Sequence, residues 1–453
     1  MKLLPPLLAL LSLLAGCGGG GPRTVQAVGG LFEAAQFRVN AGAGLGVARS
    51  PDYCVEGQTV YVVWEDDRND PGDDGDIFFN VSHDGGRTWL PADIRLDTDA
   101  PGAKDSDNPA ICCAGESVYV AWGDWRNGDR DVYFNHSTDG GITWLADDVR
   151  LDTDAPGSAL SAGIHVCCDG PNVYVLWGDD RDFHRIESVR MNASTDGGAT
   201  WLADDVRVDT SDDISEGAAL GCAGSTVYAA WRDEGANPGI HFSVSRDAGR
   251  TWGNETVLSS PQVKPPAMCY DGANVYVLWA DLFELDIYFN SSLDGGQTWQ
   301  AAQRRLTTDP PGDARIYGRS LGCDGLDVYA AWVDARLGPD HVFFNRSFDG
   351  GLTWEASDIR VDSDLAQPNA PSVCGEGLDV YVAWADARFD PDQGIFVNTS
   401  LDGGLSWQAD DVRLDTEFPN VAEPDDHRAL CHAGTVYVLW EQGGNIHLNR
   451  TRP

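Results

Sequence analysis

Seven copies of one eight-residue pattern, Ser-x-Asp-x-Gly-x-Thr/Ser-Trp, constrain this chain more than any other feature. They begin at Ser82, Ser137, Ser194, Ser245, Ser292, Ser347 and Ser400 and end at Trp89, Trp144, Trp201, Trp252, Trp299, Trp354 and Trp407. Successive tryptophans lie 55, 57, 51, 47, 55 and 53 residues apart, a regularity that marks units stacked to bury a shared core. Each residue type has a turn-making reason. The carboxylate accepts from nearby backbone N–H groups, glycine permits positive φ, the hydroxyls bond locally, and the indole plugs the fold beneath. The pattern reads as a stapled hairpin turn.

Upstream of each octapeptide stands a Val-Tyr-Val/Ala-x-Trp run, ending at Trp64, Trp122, Trp177, Trp231, Trp279, Trp332, Trp384 and, once more, Trp440. These runs are apolar at almost every position, as strands buried on both faces are. A Cys-bearing strand and a Gly turn precede each run. A polar loop and a strand such as 131–135 follow it, and the octapeptide leads into a fourth strand of the 148–152 type. Four short antiparallel strands per unit make a propeller blade. The eighth unit supplies only three strands, over 429–449. Its missing outer strand is found at 35–40, where Ala-Gln-Phe-Arg-Val-Asn copies Asp-Asp-Val-Arg-Leu-Asp. The expected fold is all-β: an eight-bladed β-propeller over 31–453, closed by the N-terminal strand completing the last blade, which removes exposed edges.

At the octapeptides the chain resembles the Asp-box (BNR repeat) family of β-propellers, which includes the sialidases, over nearly everything after residue 30. The resemblance implies that the octapeptides lie on the face away from an active site. Family sialidases use an arginine triad for the substrate carboxylate, a Tyr nucleophile assisted by Glu and an Asp acid/base, usually on six blades. Phe37-Arg38-Val39-Asn40 looks like their Phe/Tyr-Arg-Ile-Pro signature, but it has the register of an outer strand and Asn for Pro. An arginine recurs at that strand position, as Arg95, Arg150, Arg207, Arg360 and Arg413.

A formal net charge of -40, with only three lysines, Lys2, Lys104 and Lys264, argues against nucleic acid as a partner, since that binding is dominated by basic contacts to phosphate. Met1-Lys2, an apolar run through Leu14 and then Leu14-Ala15-Gly16-Cys17 have the shape of a signal peptide over 1–16. Leu-Ala-Gly-Cys resembles a bacterial lipoprotein lipobox. That implies lipidation of Cys17, a flexible tether over 17–30, and a monomer exported to the bacterial cell envelope that meets the membrane through its lipid alone.

Ten further cysteines lie on the innermost strands: Cys54, Cys112, Cys113, Cys167, Cys168, Cys222, Cys269, Cys323, Cys374 and Cys431. Export and an even count permit disulfides. Blade spacing separates equivalent positions, so buried thiols are expected for most. A Trp-x-Asp-x-Arg pattern, complete at Trp64/Asp66/Arg68 and four further units, reads as a set of inter-blade ties. Acidic loops at 70–76, 97–102 and 152–157 offer hard oxygen ligands, but none matches an EF-hand. No cofactor or metal is expected, with Ca²⁺ at these loops the alternative.

Loops entering the innermost strands ring the channel mouth, so residues there that break the repeat are the functional candidates. They are Arg49, Lys104, Asp105, Asp107, His165, Glu216, Lys264, the run Arg315-Ile316-Tyr317-Gly318-Arg319, and Asp425, Asp426, His427 and Arg428. Arg49, Arg315, Arg319 and Arg428 would suit an anionic group, because guanidinium binds carboxylate or sulfate bidentately. The expected function is a binding module for a glycan or protein ligand at that mouth. The first alternative is an exo-α-sialidase-like glycosidase with Tyr317 and Glu216 as its nucleophile pair; the second is a structural envelope protein.

Overall fold

The computed structural model describes residues 31–41, 46–70, 72, 74–183, 186–259, 261–310, 316–363, 367–389, 392–415 and 425–452. Only the backbone is described at 182–183, 186–187, 317, 389, 392 and 425–426. The leader, Cys17 with its tether, and Arg315 lie outside the described residues.

Eight four-stranded antiparallel sheets form, each strand pairing with the next in sequence from channel to rim. Their innermost strands are Ala48–Glu56, Ser106–Ala114, Ser161–Asp169, Ser215–Ala223, Ala267–Asp271, Ile316–Asp324, Pro368–Glu376 and Asp425–His432, defining blades 1 to 8. Blade 8 takes its outermost strand, Phe37–Arg38, from the other end of the chain, with Phe37 opposite Leu448 and Arg38 opposite His447. The chain is thus the eight-bladed propeller read from its repeats, and Arg38 stands on the rim. The second strands are the Val-Tyr-x-x-Trp runs, and all eight of their tryptophans are fully buried between blades.

The octapeptides are turns of the expected kind. Asp139 Oδ1 accepts the Ser137 hydroxyl and the Thr143 N–H, each at 2.8 Å, and Oδ2 accepts the Thr143 hydroxyl at 2.6 Å. Gly140 donates its N–H to the Glu116 carbonyl at 2.8 Å, which sets each turn beside the hairpin joining the first two strands. At Gly141, φ is 84° and a Cβ would sit 2.5 Å from the Phe79 ring, so only glycine fits. Trp144 packs edge-on against that same Phe79 at 4.9 Å, and Trp201 repeats this on Phe134. Each turn therefore locks its blade onto the preceding one.

The cysteines correct the sequence reading: all ten form disulfides between neighbouring blades, Cys54–Cys113, Cys112–Cys168, Cys167–Cys222, Cys269–Cys323 and Cys374–Cys431, with Cα atoms 5.6–6.0 Å apart. The bonded positions are not equivalent. One partner always stands opposite the Tyr of the second strand, as Cys54 does with Tyr61. The other stands one residue further on, opposite the Val, as Cys113 does with Val118 in the next blade. Adjacent residues of a strand point to opposite faces, so Cys112 and Cys113 reach the two flanking blades. Where the first position is Gly221, Gly322 or Leu430, the second position of the following blade is Tyr270, Gly375 or Val55, and those three interfaces carry no staple.

The Trp-x-Asp-x-Arg groups tie strands and blades together. Each arginine pairs within its own blade, as Arg68 does with Asp66 and with Asp93 beside the fourth strand, and Arg388 with Asp386 and Asp411. Arg336 and Arg181 also reach Asp309 at 3.5 Å and Asp154 at 4.0 Å after the preceding blade's last strand. The second aspartate crosses as well: Asp148, Asp205, Asp358 and Asp411 accept the N–H of Thr98, Thr153, Thr308 and Ser363 from the preceding blade at 2.7–3.0 Å. The acidic loops hold a cation, and it is the protein's own. Arg95 pairs with Asp76, Asp97 and Asp99, and Arg150 with Asp131, Asp152 and Asp154.

These carboxylates give stability a definite pH profile. Hydrogen bonds from Thr143, then Ser137, hold Asp139 at about 2, and Asp196, Asp294 and Asp402 are held likewise. A depressed carboxylate contributes stability above its unfolded pKa and loses it as pH falls towards the folded value. Burial and the neighbouring Asp76 or Asp131 push Asp97 and Asp152 upward, against the pull of Arg95 and Arg150. A raised carboxyl contributes below its unfolded pKa and loses that contribution as pH rises through the folded one. Burial also holds the imidazoles of His136, His165, His427 and His447 below their usual range, and these contribute above about pH 6.5 and lose that contribution as pH falls. Melting temperature followed by calorimetry is therefore expected to be highest between about pH 4 and 7 and to fall on both sides. A profile that peaks at alkaline pH would contradict this assignment.

Candidate functional site

Seven of the eight innermost strands enter the channel through a bulge, and Ala267–Asp271 of blade 5 pairs without one. A residue of positive φ recurs at one position, as Ser50 (49°), Asn108 (48°), Gly163 (61°), Gly217 (60°), Gly318 (62°) and Ala370 (42°), and the ladder shifts register there. Such bulges re-aim side chains. Below the bulge lies a ring with one residue per blade, each opposite the residue before the buried Trp: Asp52, Ala110, His165, Ala219, Ala267, Ser320, Ser372 and Arg428. Five are small. The three that titrate belong to blades 1, 3 and 8.

Arg428 Nη1 meets Asp52 Oδ1 at 2.6 Å across the closing interface, and Asp52 Oδ2 accepts the Ile111 N–H of blade 2 at 3.0 Å. Ser320 and Ser372 serve the amides of Val373 and Ala429 in the same way. The Arg428 side chain is 55 % exposed, but to the channel, where the Asp52 charge raises its pKa and holds it cationic. Beside it lies a cavity of about 420 Å³, lined by His427 and Arg428 of blade 8, Ser50 and Pro51 of blade 1, Asn108, Pro109 and Arg130 of blade 2, and Ile164 and His165 of blade 3. Burial lowers the pKa of both imidazoles, that of His427 to about 4, so at neutral pH they are uncharged. His427 Nε2 is buried without a hydrogen-bond partner among the described residues. Arg130 lies across Gly123, where any Cβ would collide with its guanidinium, and pairs with Asp107.

The other sequence candidates spread around the mouth. Arg49 binds Asp67 at 2.8 Å and Glu65 at 3.4 Å. Glu65 is nearly buried, and burial pushes its carboxyl up to about 7; Arg49 opposes this, while Asp105 and Asp107 add to it. Glu216, on blade 4, is paired with Arg232. Tyr317 has its backbone on blade 6, two blades further round. Arg319, also on blade 6, has no ion pair among the described residues, and burial lowers its pKa to about 10. Lys104 and Lys264 are exposed, and Asp105 accepts the Gly75 N–H. Sequence reasoning missed Asp52, Glu65, Asn108 and Arg130. Only Glu65 left a signal, as the acidic residue ending an otherwise apolar Val-Tyr-Val-Val-Trp run.

No family model and no curated protein sequence matches the chain. Among solved structures it is similar to the Hadza microbial sialidase Hz136, at 18 % identity over 66 % of each chain with a TM-score of 0.42. It is also similar to a PL25 ulvan lyase, at 13 % over 91 % of this chain and 95 % of the other, TM-score 0.45. A third is the GH93 α-L-arabinofuranosidase of Fusarium graminearum, at 15 % over 66 % and 92 %, TM-score 0.40. All three likenesses are of fold alone.

Proposed function

We propose that the chain is a binding module whose site is the channel mouth and whose ligand is a glycan, free or carried on a protein. The observation that carries this reading is the cavity shared by blades 8, 1, 2 and 3. Neutral His165 and His427, Asn108, Ser50 and the channel side of Arg428 offer donors and acceptors, while Pro51, Pro109 and Ile164 offer apolar surface. A few convergent polar groups on an apolar wall suit a sugar, which presents both hydroxyls and C–H faces. Five disulfides support a site of action in an oxidising compartment, in keeping with an exported protein.

A second reading, a glycoside hydrolase, is favoured by Glu65. A buried carboxyl raised to about 7 beside two further acids is a proton donor at neutral pH. Titration calorimetry against a panel of oligosaccharides tests both readings. A sugar that binds the parent is expected to bind Arg428→Ala and His165→Ala about tenfold more weakly. A panel without a binder, or variants that bind like the parent, sinks the binding-module proposal. Release of sugar by the parent that is lost in Glu65→Gln would move the assignment to the hydrolase.

A further inference from the structure

Five blades share an internal guanidinium slot. After the buried tryptophan, Arg68, Arg126, Arg181, Arg336 and Arg388 each donate their backbone N–H to the aspartate two residues earlier, at 2.7–3.0 Å, and turn the guanidinium back onto that aspartate and onto a carboxylate beside the fourth strand. In four of them the guanidinium lies 4.0–4.3 Å over the ring that faces the tryptophan across the ladder.

Blade 4 keeps the slot's aspartate, a ring facing the tryptophan and a carboxylate beside the fourth strand, and lacks the arginine. Gly235 stands at the arginine's position and donates the same N–H to Asp233 at 2.8 Å. His241 faces Trp231 where Phe78 faces Trp64. Glu255 accepts the Thr210 N–H from the preceding blade, as Asp148 accepts that of Thr98. The volume left open is a cavity of about 480 Å³, lined by Asp233, Gly235, His241, Glu255 and the loop residues Asp212 and Asp213. Trp231 is fully buried and its Nε1–H has no partner among the described residues, whereas in the five arginine blades the same N–H donates to the slot aspartate at 3.1–3.4 Å.

We propose that this slot binds the guanidinium group of a ligand, which takes between Asp233 and the His241 ring the place that the chain's own arginine fills in five sister blades. Four carboxylates face the cavity against one imidazole. Both nitrogens of that ring donate, to Glu255 and to the Asn237 carbonyl, each at 2.8 Å, and against the effect of burial these bonds raise its pKa, so it is one cation among the four carboxylates. Glu255 is engaged by it, and Asp233, Asp212 and Asp213 are left to face a planar cation, which carboxylates grip with paired N–H···O bonds. The site is separate from the channel mouth, and the proposal does not rest on the glycan reading.

The whole protein titrated calorimetrically with N-acetylarginine amide, with N-acetylcitrulline amide as the uncharged isostere, tests it. Saturable binding of the arginine probe is expected, about tenfold tighter than the citrulline probe. Gly235→Arg supplies the absent side chain, meeting first the Ser211 hydroxyl, which can rotate away. It is expected to abolish binding with the melting temperature unchanged or raised. Asp212→Asn combined with Asp213→Asn, on an exposed loop, is expected to weaken binding while leaving the fold intact, and this pair decides if Gly235→Arg does not fold. Equal binding of the two probes, no saturable binding by the parent, or unaltered binding in a folded Gly235→Arg or in the loop variant overturns the proposal.

Discussion

Reducing the five inter-blade disulfides is expected to lower the melting temperature by about 10–20 °C. Each closes a loop whose ends are 54–59 residues apart in sequence, and a native disulfide of that kind contributes about 2–4 kcal/mol, chiefly by restricting the unfolded chain. A fold of this length unfolds with an entropy that converts about 1 kcal/mol into about 1 °C. The staples join blades 1 to 4 in series, then 5 to 6 and 7 to 8, so reduction loosens the ring at interfaces and leaves the hydrogen bonds within blades untouched. Calorimetry with and without reductant measures the shift, and peptide mapping without reduction checks the pairing. Protein made in a reducing cytoplasm should show the lower value. Ten free thiols in the unreduced, denatured protein, or a shift of only a degree or two, would refute the stapled ring.

That ring shows where sequence reasoning holds and where it stops. Strand number, blade number and closure were legible because each blade repeats the same buried Trp and the same turn, and the unit lacking a fourth strand is matched by a spare strand at 35–40. The disulfides were misread because equivalent cysteines were compared with one another. The bonds join non-equivalent neighbours, and the clue was one of parity: a Cys opposite Tyr in one blade always meets a Cys opposite Val in the next. At the mouth, departures from the repeat singled out Arg49, His165, His427 and Arg428; the last three line the cavity there, while Arg49 is engaged by Asp67 and Glu65. Their partners were not legible, since Arg428 and Asp52 are 376 residues apart and meet only because the ring closes. Arg130 was missed for a reason within one blade, as the Gly123 that makes room for it looks like any other glycine until the blade is built.

Removing residues 31–40 is expected to leave no soluble monomeric propeller. The segment is bound to blade 8 along its whole length: Val39 donates its N–H to the Ile446 carbonyl, Glu33 to that of Arg450, and Leu31 accepts from Arg452. Asn40 Oδ1 takes the Ile446 N–H, and Asn80 of blade 1 donates to the Val39 carbonyl, so the strand joins the last blade to the first. Phe32 and Val39 are buried, Phe32 edge-on to Tyr381 of blade 7 at 6.4 Å. This interface has no disulfide to compensate, because Leu430 and Val55 occupy the stapling positions there. Deletion would bare the ladder edge of Asn445–Arg450, a template for pairing with other chains. A milder change grades the effect: Phe32→Ala should cost about 3–5 kcal/mol, as truncation of a buried aromatic does, while Arg38→Ala, whose guanidinium hydrogen-bonds Asn40 alone among the described side chains, should cost under about 1 kcal/mol. Size-exclusion chromatography of the truncated protein and chemical denaturation of the two variants measure this. A truncated chain that stays monomeric and melts like the parent would show that the ring holds shut without its N-terminal strand.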